Sequence, residues 1–254
     1  MRAFLVPFIA VTAILTQPMF AVAAEIRVLA TTAIASSFKD LAPLFEKQTG
    51  HKLNASFGPA AGLTKRVQEG EATDVLIGTR GGIDNLMKEG KIAAQSDVTL
   101  ARSGIGVGVR KGAQKPDIST PEAFKKALLA AKAISCSNPA FGGASGVHLA
   151  KVFEQLGVTA QMKAKTVFPP DGGLAGSCLV KGEADLAVQQ FAELMEAGEV
   201  DIVGPLPGDL QNVTVFAAGV PASAKERDAA KALIEFLRSP AAVAVIKAKG
   251  LEPG

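Results

Sequence analysis

The sequence predicts a two-lobed α/β protein whose lobes are joined by two crossing strands, and three observations predict it. From Glu25 onward short β-rich runs alternate with helical stretches, the pattern of a parallel sheet covered by helices. That succession is written twice, and a long, Gly-rich alternating run, Leu100 to Arg110 (LARSGIGVGVR), stands between the two copies. After the second copy, Val213 to Val220 (VTVFAAGV) reads as another strand, able to bring the chain back to the first lobe.

The elements follow in order. Residues 1–24 read as a cleavable secretory leader: Met1-Arg2, an apolar stretch from Ala3 to Leu15, and small residues at Ala21-Val22-Ala23-Ala24. Gln17 and Pro18 interrupt the apolar run before it reaches the ~20 residues of a membrane-spanning helix. A periplasmic protein is therefore expected. Ile26 to Ala30 is a strand, and Ala33 to Gln48 a helix with Ile34, Phe38, Leu41, Leu44 and Phe45 on one face. Leu53 to Phe57 (strand), Ala60 to Glu69 (helix), Val75 to Gly78 (strand) and a helix near Ile83 to Lys88 complete the first copy.

The second copy opens at Thr120-Pro121, which suit the cap and first position of a helix. It continues with strand Ala133 to Ser137, helix Ser145 to Leu156, strand Lys165 to Phe168, helix Gly173 to Lys181 and strand Leu186 to Gln189. Ser223 to Leu237 and Ser239 to Lys249 read as terminal helices. The expected lobes are residues 25–102 plus 219–254, and residues 103–218. Loops beyond the carboxyl ends of the strands, where ligands collect in open α/β sheets, would then face one another across a cleft.

Composition removes several function classes. A formal net charge of +3, lowered by one when Arg2 leaves with the leader, is too small for a nucleic-acid footprint. With no Trp and no Tyr, the aromatic platforms of sugar and quaternary-amine sites are missing. Two histidines, His51 and His148, are too few for a protein-built zinc site. Gly104-Ile105-Gly106-Val107-Gly108 alternates along a strand and opens no helix, so it is no dinucleotide loop. Ser36-Ser37-Phe38-Lys39 matches Ser-x-x-Lys without its companion motifs. No cofactor and no metal are expected. Cys136 and Cys178 fit either two buried thiols or a disulfide, which would close a loop of roughly 43 residues and contribute on the order of 4 kcal/mol.

Four junctions carry the functional argument. Ala30-Thr31-Thr32-Ala33, Phe57-Gly58-Pro59-Ala60-Ala61-Gly62, Phe141-Gly142-Gly143-Ala144-Ser145-Gly146 and Pro170-Asp171-Gly172-Gly173 each run from a strand through small residues into a helix. Such junctions aim unpaired backbone N–H groups and the positive end of a helix dipole into the space ahead. One junction alone is an ordinary turn; two in each expected lobe suggest an anion cleft.

The stretches FGPAAGLTKRVQEGEATDVLIG, SNPAFGGASGVHLAKVFEQLG and GEADLAVQQ, in this order, resemble the molybdate-binding branch of the type II periplasmic binding proteins. The resemblance covers essentially the whole chain after the leader. It implies a monomeric solute-binding protein that serves an ABC importer permease. It also implies an oxyanion held by backbone N–H groups, two serine hydroxyls and a tyrosine hydroxyl, contacts that fall at Ala33, Ala61, Ser145, Gly172 and Gln190. Ala33 and Ala61 stand where that pattern has serine, and Gln190 where it has tyrosine. A tetrahedral oxyanion would lose three hydrogen bonds of about 0.5–1.5 kcal/mol each.

A larger anion, a di- or tricarboxylate, is the alternative guest. Thr31, Thr32, Lys65, Arg80 and Arg102 fall near the junctions and offer hydroxyls or charge, and arginine grips a carboxylate through two parallel bonds. Lys65 also fits a solvated helix face. Gly62 and Gly146 let a guest approach the backbone closely. Some exported proteins of similar sequence isomerise aconitate, and under that reading His148 or Asp171 is the candidate base.

Overall fold

The structure, a computed structural model, describes residues 23–170 and 173–254. The leader therefore lies outside the described residues except for Ala23 and Ala24. Among the described residues no helix is long and apolar enough to cross a membrane.

The first unit is β1 (Glu25–Thr31), α1 (Ala35–Thr49), β2 (Lys52–Gly58), α2 (Ala60–Gln68), β3 (Val75–Thr79) and α3 (Arg80–Lys88). A 3-10 turn, Thr32–Ile34, leads directly into α1. Strand β1 lies between β2 and β3, parallel to both, as strands joined by helical crossovers are. α1 ends at Gly50, whose φ of 78° is the left-handed conformation that suits a residue without a Cβ.

β4 (Val98–Arg110) then leaves this lobe. Its first half pairs antiparallel with β9 (Val213–Gly219), and its second half pairs with β7 (Leu186–Gln190) and β8 (Val200–Pro205). Gly104, Gly106 and Gly108 in β4 lie under Phe191, Leu194 and Val200, so the glycines make room for the helix laid across the strand. The second unit comprises α4 (Pro121–Ala130), β5 (Ile134–Cys136), α5 (Ala144–Gln155), α6 (Thr159–Lys165), β6 (Thr166–Val167), α7 (Gly176–Val180), β7, α8 (Phe191–Glu196) and β8. β9 returns the chain to the first lobe, which α9 (Arg227–Leu237), α10 (Pro240–Ala248) and β10 (Glu252–Pro253) complete. The main path through the sheet is β2-β1-β3-β9-β4-β7-β5-β6.

Two main cores form. One gathers Ile26, Phe38, Phe45, Ile77, Phe216, Leu233 and Ile246; the other gathers Ile105, Phe124, Leu128, Leu149, Val188 and Leu210. α8 touches both sides, with Ala192 in the first core and Leu194 packed with Cys178 and Leu179. Cys136 and Cys178 are buried free thiols, and burial pushes the Cys136 thiol up to about 12.

The elements missing from the sequence reading are α6, α8, β8 and β10. α8 follows β7 with no Gly, Pro, Ser, Thr, Asn or Asp between them, and β8 is a short run ending in proline, so both are easily missed. The expected helix at Ser223 begins only at Arg227, after a turn. There the fully buried Asp74 accepts from the backbone N–H groups of Lys225 (2.9 Å) and Glu226 (3.3 Å) and from the Arg27 guanidinium.

Candidate functional site

Three helix starts, one from each of three junctions, meet in a single narrow cavity. Its walls are Thr31, Thr32 and Ala33 from the 3-10 turn before α1, Pro59 and Ala60 from the start of α2, and Gly143, Ala144 and Ser145 from the start of α5. Ser137, Asn138, Gln190, Glu193 and Phe216 close it. None of these residues is Lys, Arg or His. Any negative guest is therefore held by dipoles and hydrogen bonds rather than by countercharge. Thr31, Pro59 and Gly143 precede these helices, and no side chain accepts a capping hydrogen bond from their first turns. The enclosed space is about 20 Å³, little more than one water molecule's worth.

A chain of hydrogen bonds holds the hydroxyl groups in place. Gln189 Oε1 accepts from Ala175 N at 2.6 Å, which turns its Nε2 to donate to Ser137 Oγ at 3.1 Å. Ser137 Oγ and Ser145 Oγ lie 3.2 Å apart and share one hydroxyl proton. The second hydroxyl proton has no partner among the described residues, so the pair can donate to a guest in the cavity. Gly143 and Gly146 make this packing possible, because a Cβ at either position would run into Ser137.

Gln190 is occupied elsewhere. Its amide satisfies its neighbours with the nitrogen donating to the carbonyls of Ser103 (3.0 Å) and Gly104 (3.1 Å) and the oxygen accepting from Thr214 Oγ1 (2.9 Å). The side chain thus ties the end of β7 to both strands that join the lobes. Gln211 does a similar job one step along, accepting from Ile105 N and donating to Ile105 O, both at 2.9 Å.

Beside the cavity, and sharing Pro59 with it, lies a more open pocket of about 510 Å³ lined by Ala61, Gly62, Lys65, Pro139, Ala140, Phe141 and Gly142. Here the two lobes touch: Ala61 N donates to Gly142 O at 3.4 Å. Gly142 has φ 74°, and a Cβ there would collide with that of Ala61.

Of the residues singled out from sequence, Thr31, Thr32, Ala33, Ser145 and Gln190 line the inner cavity, while Ala61, Gly62 and Lys65 line the outer pocket. Lys65 is exposed and lies 3.6 Å from Glu69. Arg80 lines neither space; its guanidinium is held by Asp97 (2.5 Å), Asp84 (3.2 Å) and Thr99 (3.1 Å). Arg102 is exposed on β4, opposite Glu252 of β10. Gly146 backs onto the carbonyl of Ser137 rather than facing the cavity. His148 lies 2.8 Å from the Leu210 carbonyl through Nε2 and does not line the cavity. Asp171 and Gly172 lie outside the described residues.

Pro59, Ala60, Gly143 and Ala144 line the cavity as parts of the junctions marked in the sequence; sequence reasoning passed over Ser137, Asn138, Phe216 and, above all, Glu193. The signal for Glu193 was present: Gln190-Phe191-Ala192-Glu193 has the Q-x-x-E spacing of a helix start, and Glu193 Oε2 accepts from Gln190 N at 3.3 Å. Burial pushes the Glu193 carboxyl up to about 8; Glu196 adds to the rise, and the hydrogen bond from Gln190 opposes it.

Two α/β lobes joined by two strands, with such a cavity between them, have the architecture of a solute-binding protein. Residues 26–252 match the family of bacterial extracellular solute-binding proteins, and the chain belongs to that family. An aconitate isomerase of Pseudomonas sp is 34% identical over 232 residues, covering 89% of this chain and 87% of that protein. The molybdate-binding protein ModA of Azotobacter vinelandii is 32% identical over 233 residues, 90% of each chain. The solved structure of the Azotobacter vinelandii periplasmic molybdate-binding protein superimposes with a TM-score of 0.72 at 24% identity, covering 89% of this chain and 98% of that one. The fold is accordingly the two-lobed type II periplasmic-binding fold.

Proposed function

We propose that this protein is exported to the periplasm by its leader, captures a small oxygen-rich anion in the cleft between residues 25–102 plus 219–254 and residues 103–218, and delivers it to an ABC importer. The observation that carries the reading is the convergence of three helix starts and a serine pair on one enclosed cavity with no cationic side chain in its wall. Strands β4 and β9 form the hinge, and closure brings Ala61 against Gly142. Partial positive charge at the helix starts then meets the guest from both lobes at once.

A di- or tricarboxylate fits the chemistry better than a bare tetrahedral oxyanion. Ala33 and Ala61 offer no hydroxyl, and the Gln190 amide is already bonded to the hinge strands. A carboxylate end suits the inner cavity, while the adjoining outer pocket takes the rest of the molecule with Lys65 at its rim. The test is mass spectrometry of ligand retained through native purification, followed by calorimetric titration with molybdate, tungstate, sulfate, citrate, tricarballylate and trans-aconitate. Tight binding of at least one anion is expected; no binding by any of them, with no ligand retained, rejects the proposal.

A second reading, a polycarboxylate isomerase on the same scaffold, is favoured by the aconitate isomerase relative together with a titratable carboxyl in the cavity wall. That carboxyl is Glu193, since His148 is engaged at Leu210. Equilibration of cis- and trans-aconitate by the purified protein establishes this reading, and its absence at high protein concentration removes it.

A further inference from the structure

Glu193 has no place in the family resemblance, and its surroundings give it an unusual task. It is 6% exposed, it lines the cavity together with Gln190 and Thr31, and its side chain receives one hydrogen bond from the protein, from the Gln190 backbone. The cavity wall contains no cation to neutralise it. An ionised carboxylate in that position would face an anionic guest at close range with no countercharge, an arrangement that opposes binding. A protonated carboxyl instead donates a hydrogen bond to the same guest.

Resting on the anion-binding reading above, we propose that Glu193 is the proton-holding residue of the cavity: the protein binds its anion together with one proton, carried on the Glu193 carboxyl and donated to an oxygen of the guest. The elements packed against α8 support this. The 3-10 turn brings Thr32 and Ala33, β7 brings Gln189 and Gln190, and β4 brings Ser103, none of them charged; β8 and α1 also pack against α8 and carry Asp201, and Lys39 and Asp40, none of which acts on Glu193. The charged group that acts on Glu193 is Glu196 on the same helix, and it favours the neutral form. Lys39 of α1 and Lys249 beyond α10 act on Glu196 instead. Burial holds the carboxyl neutral up to about pH 8 in the free protein, and a bound anion extends that range further upward.

Below about pH 7 the carboxyl is already protonated, and affinity is independent of pH. Above about pH 8 the free protein must take up a proton to bind, and affinity falls roughly tenfold per pH unit. The experiment is calorimetric titration of the full chain with molybdate and with tricarballylate from pH 6.5 to 9.5; both probes are fully ionised above pH 7, and tricarballylate has no double bond to move. At pH 8.5 the apparent enthalpy is measured in two buffers of different ionisation enthalpy. Uptake approaching one proton per anion is expected. Glu193→Gln, which keeps a donor but cannot titrate, should lose both the pH dependence and the proton uptake, whatever its affinity at pH 7. Wild-type affinity flat to pH 9.5 without proton uptake overturns the proposal, as does an unchanged pH profile in Glu193→Gln. The buffer comparison on the wild type decides the matter even if the variant does not fold. If neither probe binds, the same pH series is run with the tightest-binding of tungstate, sulfate, citrate and trans-aconitate; failure of all six anions, with no ligand retained, overturns the anion-binding reading, and this proposal with it.

Discussion

Outside the cavity wall, α3, α4 and α10 begin behind Thr79, Thr120 and Ser239, whose hydroxyls accept from the amides of Gly82, Ala123 and Ala242. The start of α9 receives a carboxylate from another part of the chain, Asp74. At the cavity, the 3-10 turn before α1, α2 and α5 begin behind Thr31, Pro59 and Gly143 with no side-chain acceptor. The short α6 and α7 also begin without one, so a bare start is not in itself a site. What separates the cavity is that three such starts, drawn from both lobes, point at the same small volume. Asp74 shows within this molecule what an anion does for a helix start, and the proposed ligand does the same from outside.

Asp74 offers the strongest way to break the comparison. Burial alone would push its carboxyl up, but hydrogen bonds from the Arg27 side chain, Arg27 N, Lys225 N and Glu226 N hold it below the usual carboxylate range. Its stabilising contribution is therefore present above the unfolded carboxyl's pKa and lost as pH falls through the depressed folded value. Asp74→Asn should cost on the order of 3 kcal/mol in urea denaturation at pH 7, with a smaller penalty in acid, while ligand affinity of the folded protein stays within twofold. A loss of affinity without a loss of stability would mean that Asp74 belongs to the site after all.

Gly142 comes next. Leucine there meets Ala61 across the cleft and takes on a φ of 74°. Closure is then blocked, and affinity should drop about 100-fold, or roughly 2.7 kcal/mol, with a cooperative unfolding transition retained. Unchanged affinity would show that the Ala61–Gly142 contact plays no part in capture. The smallest effects belong to the outer caps. Thr120→Ala and Ser239→Ala should each lower stability by about 1 kcal/mol in thermal or urea unfolding and leave affinity unaltered.

Much of this was legible in the chain. The alternation of strands and helices placed most elements within a few residues, since period-2 and period-3.6 apolar patterns are local properties. β4 was recognisable as the inter-lobe strand because it is both long and Gly-rich. The small-residue junctions were legible for a related reason: backbone N–H groups at helix starts depend on where helices begin, which caps and glycines mark. Side-chain direction was not. Arg80 and Arg102 lie near junctions in sequence, yet Arg80 turns to Asp97 and Asp84, and Arg102 points to solvent. Gln190 was placed at the cavity, but its use as a tie to Ser103, Gly104 and Thr214 depends on three strands meeting in space. Glu193 escaped notice because α8 follows β7 without a break, and its burial depends on packing from both lobes.

The central claim is that the amides at the cavity's helix starts hold the ligand. Backbone 15N–1H spectra recorded during titration with the tightest-binding anion test it directly. The amides of Thr32, Ala33, Ala60, Ala144 and Ser145 should show the largest shifts and saturate together, while those of Gly82, Ala123 and Ala242 stay in place. Shifts concentrated at Arg80, Arg102 or the outer helix starts, with the cavity amides unmoved, would contradict it.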